Sequence, residues 1–142
     1  MISTRGRYAV RILLDLASDG GGDRYIPIKE VAKRQGISLK YIERIMPPLK
    51  DGGLVEGVPG LRGGYKLMKK PEEISVWEIL SLAEGNLAPV ACLEANAAAC
   101  ARSPECRTLP MWENYYMITK DYFSSITLAD LAEKNGENIR KV

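Results

Sequence analysis

Apolar residues recur at helical spacing through the first fifty positions of the chain. Residues 4–18 carry one stripe, formed by Tyr8, Val10, Ile12, Leu13, Leu16 and Ala17. Residues 26–35 and 39–46 predict two further helices, with Gly36 for a tight turn between them and Ser38 as N-cap of the second. A glycine turn followed by a capped helix with a polar outer face is typical of a helix-turn-helix. Two packed helices of any small domain would give the same pattern.

Two short strand-like runs, residues 53–58 and 64–69, follow this motif directly. The connection at residues 59–63 reads Pro-Gly-Leu-Arg-Gly and predicts a turn with Arg62 at its tip. A β-hairpin in this place is typical of a wing, and the plain alternative is a structural hairpin. Arg62 favours the wing, because the stability of a hairpin does not require an arginine between glycines.

The C-terminal half predicts a capped helix and a second helix that is apolar beyond a single stripe. The first, residues 75–85, opens with the capping box Ser75–Glu78. The second, residues 111–126, follows Pro110, which suits a first helical turn. Because its apolar residues cover more than one face, this helix requires partners on two sides: its own domain and a second copy of the chain. The side chains expected at that interface are Trp112, Tyr116 and Phe123.

Charge divides the chain into two halves. Residues 1–70 hold 14 lysines and arginines against 7 aspartates and glutamates, whereas residues 71–142 hold 6 against 11. The balances of +7 and −5 make up the net charge of +2. A basic N-terminal half suggests contact with a polyanion, although chance segregation of surface charge would produce the same balance.

Composition limits the class of protein. The 142 residues are 46% hydrophobic and 27% charged, which is enough for a packed core. No run reaches the roughly 18 apolar residues of a membrane helix, and the N-terminus lacks the apolar run of a signal peptide. A cytoplasmic protein without a stable structural disulfide is therefore expected. The chain has no histidine, no glycine-rich phosphate loop before a helix and no nucleophile–base pair, which argues against an enzyme.

The three cysteines, Cys92, Cys100 and Cys106, lie within fifteen positions. A zinc site usually has four cysteine or histidine ligands with close pairs, and this chain offers neither. Inert buried thiols are a second interpretation, but the segment is irregular and rich in small residues rather than a core helix. A redox switch would pair two thiols and leave one over. An iron–sulfur cluster would use all three as soft thiolate ligands.

Three stretches resemble one bacterial family: GRYAVRILLDLA near the start, RQGISLKYIERI, and GLVEGVPGLRGGYKL. They are similar to the Rrf (type two) family of winged-helix transcription regulators. The three cysteines and the Trp-bearing helix after them resemble its iron–sulfur branch of IscR-like and NsrR-like regulators. The resemblance covers roughly residues 1–134. It implies a mostly α fold with a small β-hairpin wing, in which a winged helix-turn-helix domain is joined to a C-terminal dimerisation helix.

This architecture gives each segment of the chain a separate role. We expect a winged helix-turn-helix DNA-binding domain over 1–70, a connecting helix over 71–88, a cysteine-containing cluster loop over 89–108, dimerisation helices over 109–134 and a flexible tail over 135–142. The last helix is short, with Thr127 at its cap and Asp130 three residues on.

The resemblance implies an iron–sulfur cluster on the three cysteines, and [2Fe–2S] is favoured over [4Fe–4S]. Both fourth ligands suggested by the family are replaced here, one by Leu109 and the other by Arg7. We therefore expect the fourth position to be taken by an oxygen donor, by solvent, by a small exogenous thiol or by a carboxylate of the partner chain. Glu105 and Glu94 are the first candidates because they lie close to the cysteines in sequence.

Two further departures from the family pattern are visible. The gap of seven residues between the first two cysteines is longer than in IscR-like proteins. Pro47 and Pro48 stand where the recognition helix of the family continues. Each proline removes a backbone donor and clashes one turn back, so the helix is expected to kink or restart there.

These features predict a homodimeric transcription regulator, a repressor rather than an activator, that binds a palindromic double-stranded operator and no membrane. The helix around 38–46 would enter the major groove, where Lys40, Glu43 and Arg44 read base edges. Arg62 would enter the minor groove. The residues expected to contact DNA are Arg5, Arg7, Ser38, Lys40, Tyr41, Glu43, Arg44, Arg62, Gly63 and Tyr65. The state of the cluster would report iron–sulfur or redox status by favouring one of two arrangements of the winged helices.

Two alternatives use the same sequence without a cluster. One is a regulator of the same fold that is controlled by a protein partner, a metabolite or thiol oxidation. The other is an interaction module whose C-terminal half docks an enzyme or another protein. A brown colour after anaerobic purification would distinguish a cluster protein from both.

Overall fold

An N-terminal unit of helices and a hairpin opens the computed structural model, which describes residues 1–19 and 23–133. Its elements are α1 (Thr4–Ser18), α2 (Ile28–Gln35), α3 (Leu39–Asp51), β1 (Val55–Val58) and β2 (Gly64–Leu67). The C-terminal half contributes α4 (Val76–Glu84), α5 (Leu109–Ser124) and α6 (Leu128–Ala132), with short 3-10 turns at Pro71–Glu73, Ala91–Leu93 and Ser103–Glu105. The predicted mostly α fold with a small hairpin is confirmed. The tail predicted at 135–142 lies outside the described residues.

The turn between α2 and α3 has the chemistry that its sequence predicts. Gly36 adopts the left-handed φ of 63° that ends α2. Ser38 then caps α3, since its hydroxyl accepts a hydrogen bond from the Tyr41 N–H at 3.2 Å. Ile37 between them is buried in the core. The turn therefore fixes α3 against α2.

The second helix of the motif, α3, continues through Pro47 and Pro48, so of the predicted kink or restart the restart does not occur. The prolines remove the N–H groups that would bond to the carbonyls of Glu43 and Arg44, at a cost of about 3 kcal/mol or more each. The inner face of the helix is fully buried and consists of Ile42, Ile45, Met46 and Leu49. Burial of each such side chain stabilises by about 1.5–3 kcal/mol, so the packed face offsets the lost bonds.

The hairpin is anchored to the segment before α2. Strands β1 and β2 pair antiparallel in a register that sets Val58 opposite Gly64. Ile26 joins the outer side of β2, where its N–H and C=O both bond to the Tyr65 backbone at 2.9 Å. Gly64 permits this close approach, because a Cβ there would lie 2.1 Å from the Ile26 carbonyl oxygen. The wing is thus attached to the same core as the helices.

Residues beyond position 70 complete the core of the N-terminal unit. The buried cluster formed by α1, α2 and α3 also contains Ile74, Ile79, Ala83 and Leu128. The predicted division at residue 70 therefore does not coincide with a break in the core. An ion pair strengthens the contact between α1 and α2: Arg34 Nη2 lies 2.5 Å from Oδ1 of Asp15, whose side chain is 5% exposed.

The long C-terminal helix, α5, lies at the edge of the fold, and none of its residues is buried. Tyr116 contacts Trp77 of α4, with ring centroids 5.8 Å apart. Phe123 packs against a small second cluster of Val76, Leu80 and Ile126. One side of α5 is therefore attached to its own chain by half-buried aromatic residues.

Capping of α4 and α6 follows the sequence in part. Thr127 and Asp130 form both hydrogen bonds of the capping box at α6, at 3.1 and 2.9 Å. Ser75 accepts from the Glu78 N–H at 3.1 Å, but the Glu78 carboxylate accepts from Lys69 at 2.6 Å instead of closing the box. Within the described ranges, no helix is long and apolar enough to cross a membrane.

Candidate DNA-binding surface and cysteine cavity

The outer face of α3 presents the predicted base-reading side chains. Lys40, Glu43 and Arg44 are exposed, as is the capping Ser38. Lys40 and Arg44 are four residues apart and border one shallow pocket. Within residues 1–19 and 23–133, neither of them forms an ion pair. Two cations that form no ion pair among the described residues therefore stand on one exposed helix face, together with Glu43, which suits contact with phosphates and base edges.

Tyr41 is less available than its neighbours on α3. It is half-buried and packs edge-on against Tyr8 of α1, with ring centroids 5.6 Å apart and an interplanar angle of 85°. The Arg11 guanidinium lies 5.2 Å from the Tyr8 ring. Tyr41 is among the residues expected to contact DNA, and its ring also contributes to the contact between α1 and α3.

The tip of the wing presents Arg62 and encloses Gly63. Arg62 is exposed, whereas Gly63 is buried and its N–H donates to the Gly60 carbonyl at 3.1 Å. A Cβ on Gly63 would lie 2.0 Å from the Val58 carbonyl oxygen, so this position requires glycine for its shape. Leu61, which is not among the residues expected to contact DNA, is fully exposed beside Arg62. The wing therefore ends in an arginine and an apolar side chain.

Tyr65, the remaining wing residue among the expected DNA contacts, is half-buried. Its ring lies against Gly57 of the opposite strand, where a Cβ would come within 2.9 Å of the ring. The ring therefore helps to hold the two strands of the wing together, and part of its edge is accessible.

Arg5 and Arg7 are exposed at the start of α1. The preceding Ser3 is held by the last residue of α4, since both its N–H and its hydroxyl donate to Glu84 Oε1 at 2.8 Å. Gly6 allows this contact, because a Cβ there would lie 2.2 Å from the same carboxylate oxygen. Glu84 is followed by Gly85 and then by the segment that carries the cysteines. This segment is thus attached through Glu84 to the basic start of α1.

The three cysteines border one cavity of about 200 Å³, although they are separated by up to fourteen positions in sequence. Cys92 and Cys100 are exposed, Cys106 is half-buried, and all three are free thiols. The rest of the lining consists of Leu93, Ala97, Ala98, Ala99, Ser103, Leu109 and Glu113. Within the described part of the chain, no group of three or more histidine, cysteine, aspartate or glutamate side chains is placed so that it could hold one metal ion.

The Cys106 thiol has a lowered pKa. The Thr108 hydroxyl, 3.5 Å from its sulfur, and then the Thr108 backbone N–H hold the pKa of this thiol below its ordinary value. The backbone N–H of Leu109 and the charge of Arg102 act in the same direction. These N–H groups are at the N-terminus of α5, where a helix stabilises a thiolate.

The carboxylate at this cavity is not one of the two that sequence proximity favoured. Glu94 and Glu105 are exposed and do not line it, whereas Glu113 does. Glu113 lies one helical turn beyond Leu109, on the same face of α5. A helix beginning near Pro110 predicts this juxtaposition, so the four-residue spacing from Leu109 was the signal that could have found it.

The residues expected at the dimer interface point largely toward their own chain. Trp112, Tyr116 and Phe123 are half-buried along the side of α5 that faces α4. A different stripe is open: Met111, Tyr115 and Ile118 are 53%, 55% and 64% exposed. Their spacing of four and three residues places them on one face of the helix.

A helix-turn-helix with a basic outer face, followed directly by an arginine-tipped hairpin, defines a winged-helix DNA-binding protein. Residues 2–134 match the family described as "Rrf2: Iron-dependent Transcriptional regulator". The chain belongs to this Rrf2 family, and it is a DNA-binding transcription regulator. As predicted, it groups with regulators and not with enzymes.

Similar proteins cover nearly the whole chain. The chain is 38% identical over 130 residues to the protein named rrf2 of Nitratidesulfovibrio vulgaris, which covers 92% of this chain and 85% of that protein. It resembles CymR (YrzC), the global cysteine regulator of B. subtilis, with a TM-score of 0.73, 32% identity and coverage of 93% and 95%. It also resembles T. potens IscR, with a TM-score of 0.70, 30% identity and coverage of 100% and 92%.

Proposed function

We propose that this protein is a homodimeric repressor whose binding to a palindromic operator is controlled by an iron–sulfur cluster on Cys92, Cys100 and Cys106. The observation that carries the proposal is the shared cavity, which collects all three thiols of the chain. Similarity to T. potens IscR supports the same assignment.

The donor set fits such a cluster. Thiolates are the soft ligands that iron–sulfur clusters use, and the lowered pKa of Cys106 favours the ligating form of that thiol. The three alanines in the lining leave room between the thiols. When bound, the cluster would supply a centre whose redox state and integrity respond to iron supply and oxidants. We favour [2Fe–2S] over [4Fe–4S].

On the DNA side, Lys40, Glu43 and Arg44 read base edges in the major groove while Arg62 enters the minor groove. The remaining expected contacts fix the position of the protein on the backbone, with Arg5 and Arg7 at phosphates. The two chains pair through the exposed stripe of α5, which sets the separation of the half-sites. Support for the pairing comes from three large apolar side chains that are each more than half exposed.

The segment that carries the thiols is attached to the DNA-binding unit at one end and to α5 at the other. It begins after Gly85, next to the Glu84 carboxylate that holds Ser3 of the α1 cap. It ends at Cys106, at the N-terminus of α5. When this segment becomes ordered around a ligand, the change therefore acts on α1 through Glu84. At the other end of the segment it acts directly on α5, the dimer helix.

The test is anaerobic reconstitution with iron and sulfide, followed by operator binding with and without the cluster. Wild type should gain visible absorption and change its operator affinity when the cluster is removed. Cys92→Ala, Cys100→Ala and Cys106→Ala should each abolish the absorption, while Ser103→Ala in the same lining should keep it. If all three cysteine variants retain the wild-type spectrum, the cluster proposal is wrong.

A second candidate is a clusterless regulator of the same fold that is controlled by thiol oxidation, a metabolite or a protein partner. Similarity to the cysteine regulator CymR and the activated Cys106 thiol favour it. This candidate predicts a colourless protein after anaerobic purification. Its operator affinity should change with peroxide, metabolite or partner and not with iron and sulfide.

A further inference from the structure

One acidic side chain shares the cavity of the three thiols. Glu113 borders the same 200 Å³ space as Cys92, Cys100 and Cys106, and it is the one carboxylate in the lining. We propose that the Glu113 carboxylate is the fourth protein ligand of the iron–sulfur cluster. This inference rests on the proposed function and assigns a residue to the position that three cysteines leave open.

The position of Glu113 on α5 explains why it reaches the cavity. Leu109 also lines the cavity, and it has no donor atom. Residues four positions apart on a helix lie one above the other on the same face, so Glu113 presents its carboxylate above Leu109. A rigid helix rather than the irregular loop thus carries this donor.

Glu113 is free to act as a ligand. It is exposed, and among the described residues its carboxylate forms neither an ion pair nor a side-chain hydrogen bond. By comparison, Glu78 and Glu84 are both engaged, one with Lys69 and the other with Ser3. Neither of the nearby candidates Glu94 and Glu105 borders the cavity.

Charge also favours a cation between these four groups. The residues that line the cavity include no lysine or arginine. A metal that binds here displaces the thiol protons, and the three thiolates and one carboxylate then require positive charge between them. Iron supplies that charge, and a carboxylate carries the same single negative charge as the fourth thiolate of a four-cysteine site.

An oxygen ligand has a functional consequence. Carboxylate is a harder donor than thiolate and suits the cluster's iron less well, so the Glu113 bond is the weakest of the four. The cluster would then open at Glu113 first, while the three thiolates still hold it. Loss of this bond releases the second turn of α5, close to the exposed stripe that begins at Met111.

The test compares carboxylate variants of the reconstituted full chain. Glu113→Gln removes the charge, Glu113→Cys supplies a thiolate, Glu94→Gln and Glu105→Gln test the two sequence neighbours, and Asp121→Asn is a matched control on the same helix. The readouts are iron and sulfide per chain, visible absorption and circular dichroism, and the rate at which a chelator strips the cluster. Far-ultraviolet circular dichroism of each metal-free variant checks that it is folded.

Glu113→Gln should lose its cluster at least roughly tenfold faster than wild type, or fail to assemble it, with an altered visible spectrum. Glu113→Cys should shift the spectrum toward a four-thiolate cluster and slow the stripping. Asp121→Asn, Glu94→Gln and Glu105→Gln should match wild type. If Glu113→Gln keeps a cluster with the same spectrum and stripping rate as wild type, the Glu113 assignment alone is wrong. A wild type that never takes up iron and sulfide overturns the proposed function and this inference together.

Discussion

The N-terminal unit differs from the cysteine segment and α5 in how much apolar surface it buries within the chain. The N-terminal unit buries a large core, with Ile12, Leu13, Leu16, Ile42 and Leu49 fully enclosed. The cysteine segment and α5 together contain no buried residue, although α5 carries some of the largest apolar side chains of the protein. Large apolar side chains that stay exposed on a helix are typical of an interaction surface. The first part therefore buries its apolar residues within the chain, and the second leaves them open, which agrees with the pairing of α5 proposed above.

The contrast is largest in stability. Leu16→Ala opens a cavity in the core and should lower the free energy of unfolding by about 2–5 kcal/mol. Ile118→Ala on the exposed stripe of α5 should change the stability of the single chain by about 0.5 kcal/mol or less. Urea denaturation at low protein concentration measures both. Equal losses from the two variants would mean that α5 belongs to the core of its own chain.

The next contrast concerns DNA affinity, which we assign to the N-terminal unit. Arg44→Ala should weaken operator binding by about 1–3 kcal/mol and relax the preference at one base pair, if the guanidinium reads a guanine edge. Arg5→Ala should weaken binding to all sequences alike and lower the salt slope by about one, because it removes a phosphate contact. Lys120→Ala makes the same charge change on α5 and should leave binding unchanged. Fluorescence anisotropy across a salt series distinguishes these outcomes.

The third contrast concerns the association of two chains, which we assign to α5. Ile118→Glu places a charge on the open stripe of α5 and should raise the dissociation constant of the dimer by roughly tenfold or more, about 1.4 kcal/mol per tenfold change. Lys120→Glu introduces the same residue away from that stripe and should leave the dimer intact. Sedimentation equilibrium at micromolar concentration measures both. If the dimer survives Ile118→Glu but dissociates with Phe123→Ala, the interface lies on the side of α5 that carries Trp112, Tyr116 and Phe123.

Local chemistry made most of the N-terminal fold predictable. The glycine turn, the Ser38 cap and the hairpin depend on a few adjacent residues, and the sequence shows these directly. The path of α3 through Pro47 and Pro48 was not predictable in this way. It depends on burial of the inner helix face against α1 and α4, and a local rule for proline cannot include that energy.

The sequence predicts that the three cysteines share one site, and they border one cavity, but the geometry of that cavity could not be predicted. Sequence proximity favoured Glu94 and Glu105, but adjacency in an irregular loop does not determine where a side chain points. Glu113 is seven residues beyond Cys106 and reaches the cavity because α5 turns it over Leu109. Similarly, large side chains on α5 predict an interface at Trp112, Tyr116 and Phe123, while the side of α5 that stays open depends on its packing against α4.

The smallest expected effect concerns the chemistry of Cys106 in the metal-free protein. The hydrogen bond from Thr108 lowers the pKa of the thiol, so the thiolate persists to lower pH in the folded chain than in the unfolded chain. In a Cys92→Ser, Cys100→Ser background, the midpoint of the alkylation rate against pH should therefore lie below that of the same protein in urea. Thr108→Val should move the midpoint upward, while Ser103→Ala should not. Rates of iodoacetamide labelling, followed by mass spectrometry, measure these midpoints. If the alkylation rate depends on pH in the same way in the folded and the urea-unfolded protein, the start of α5 does not activate this thiol.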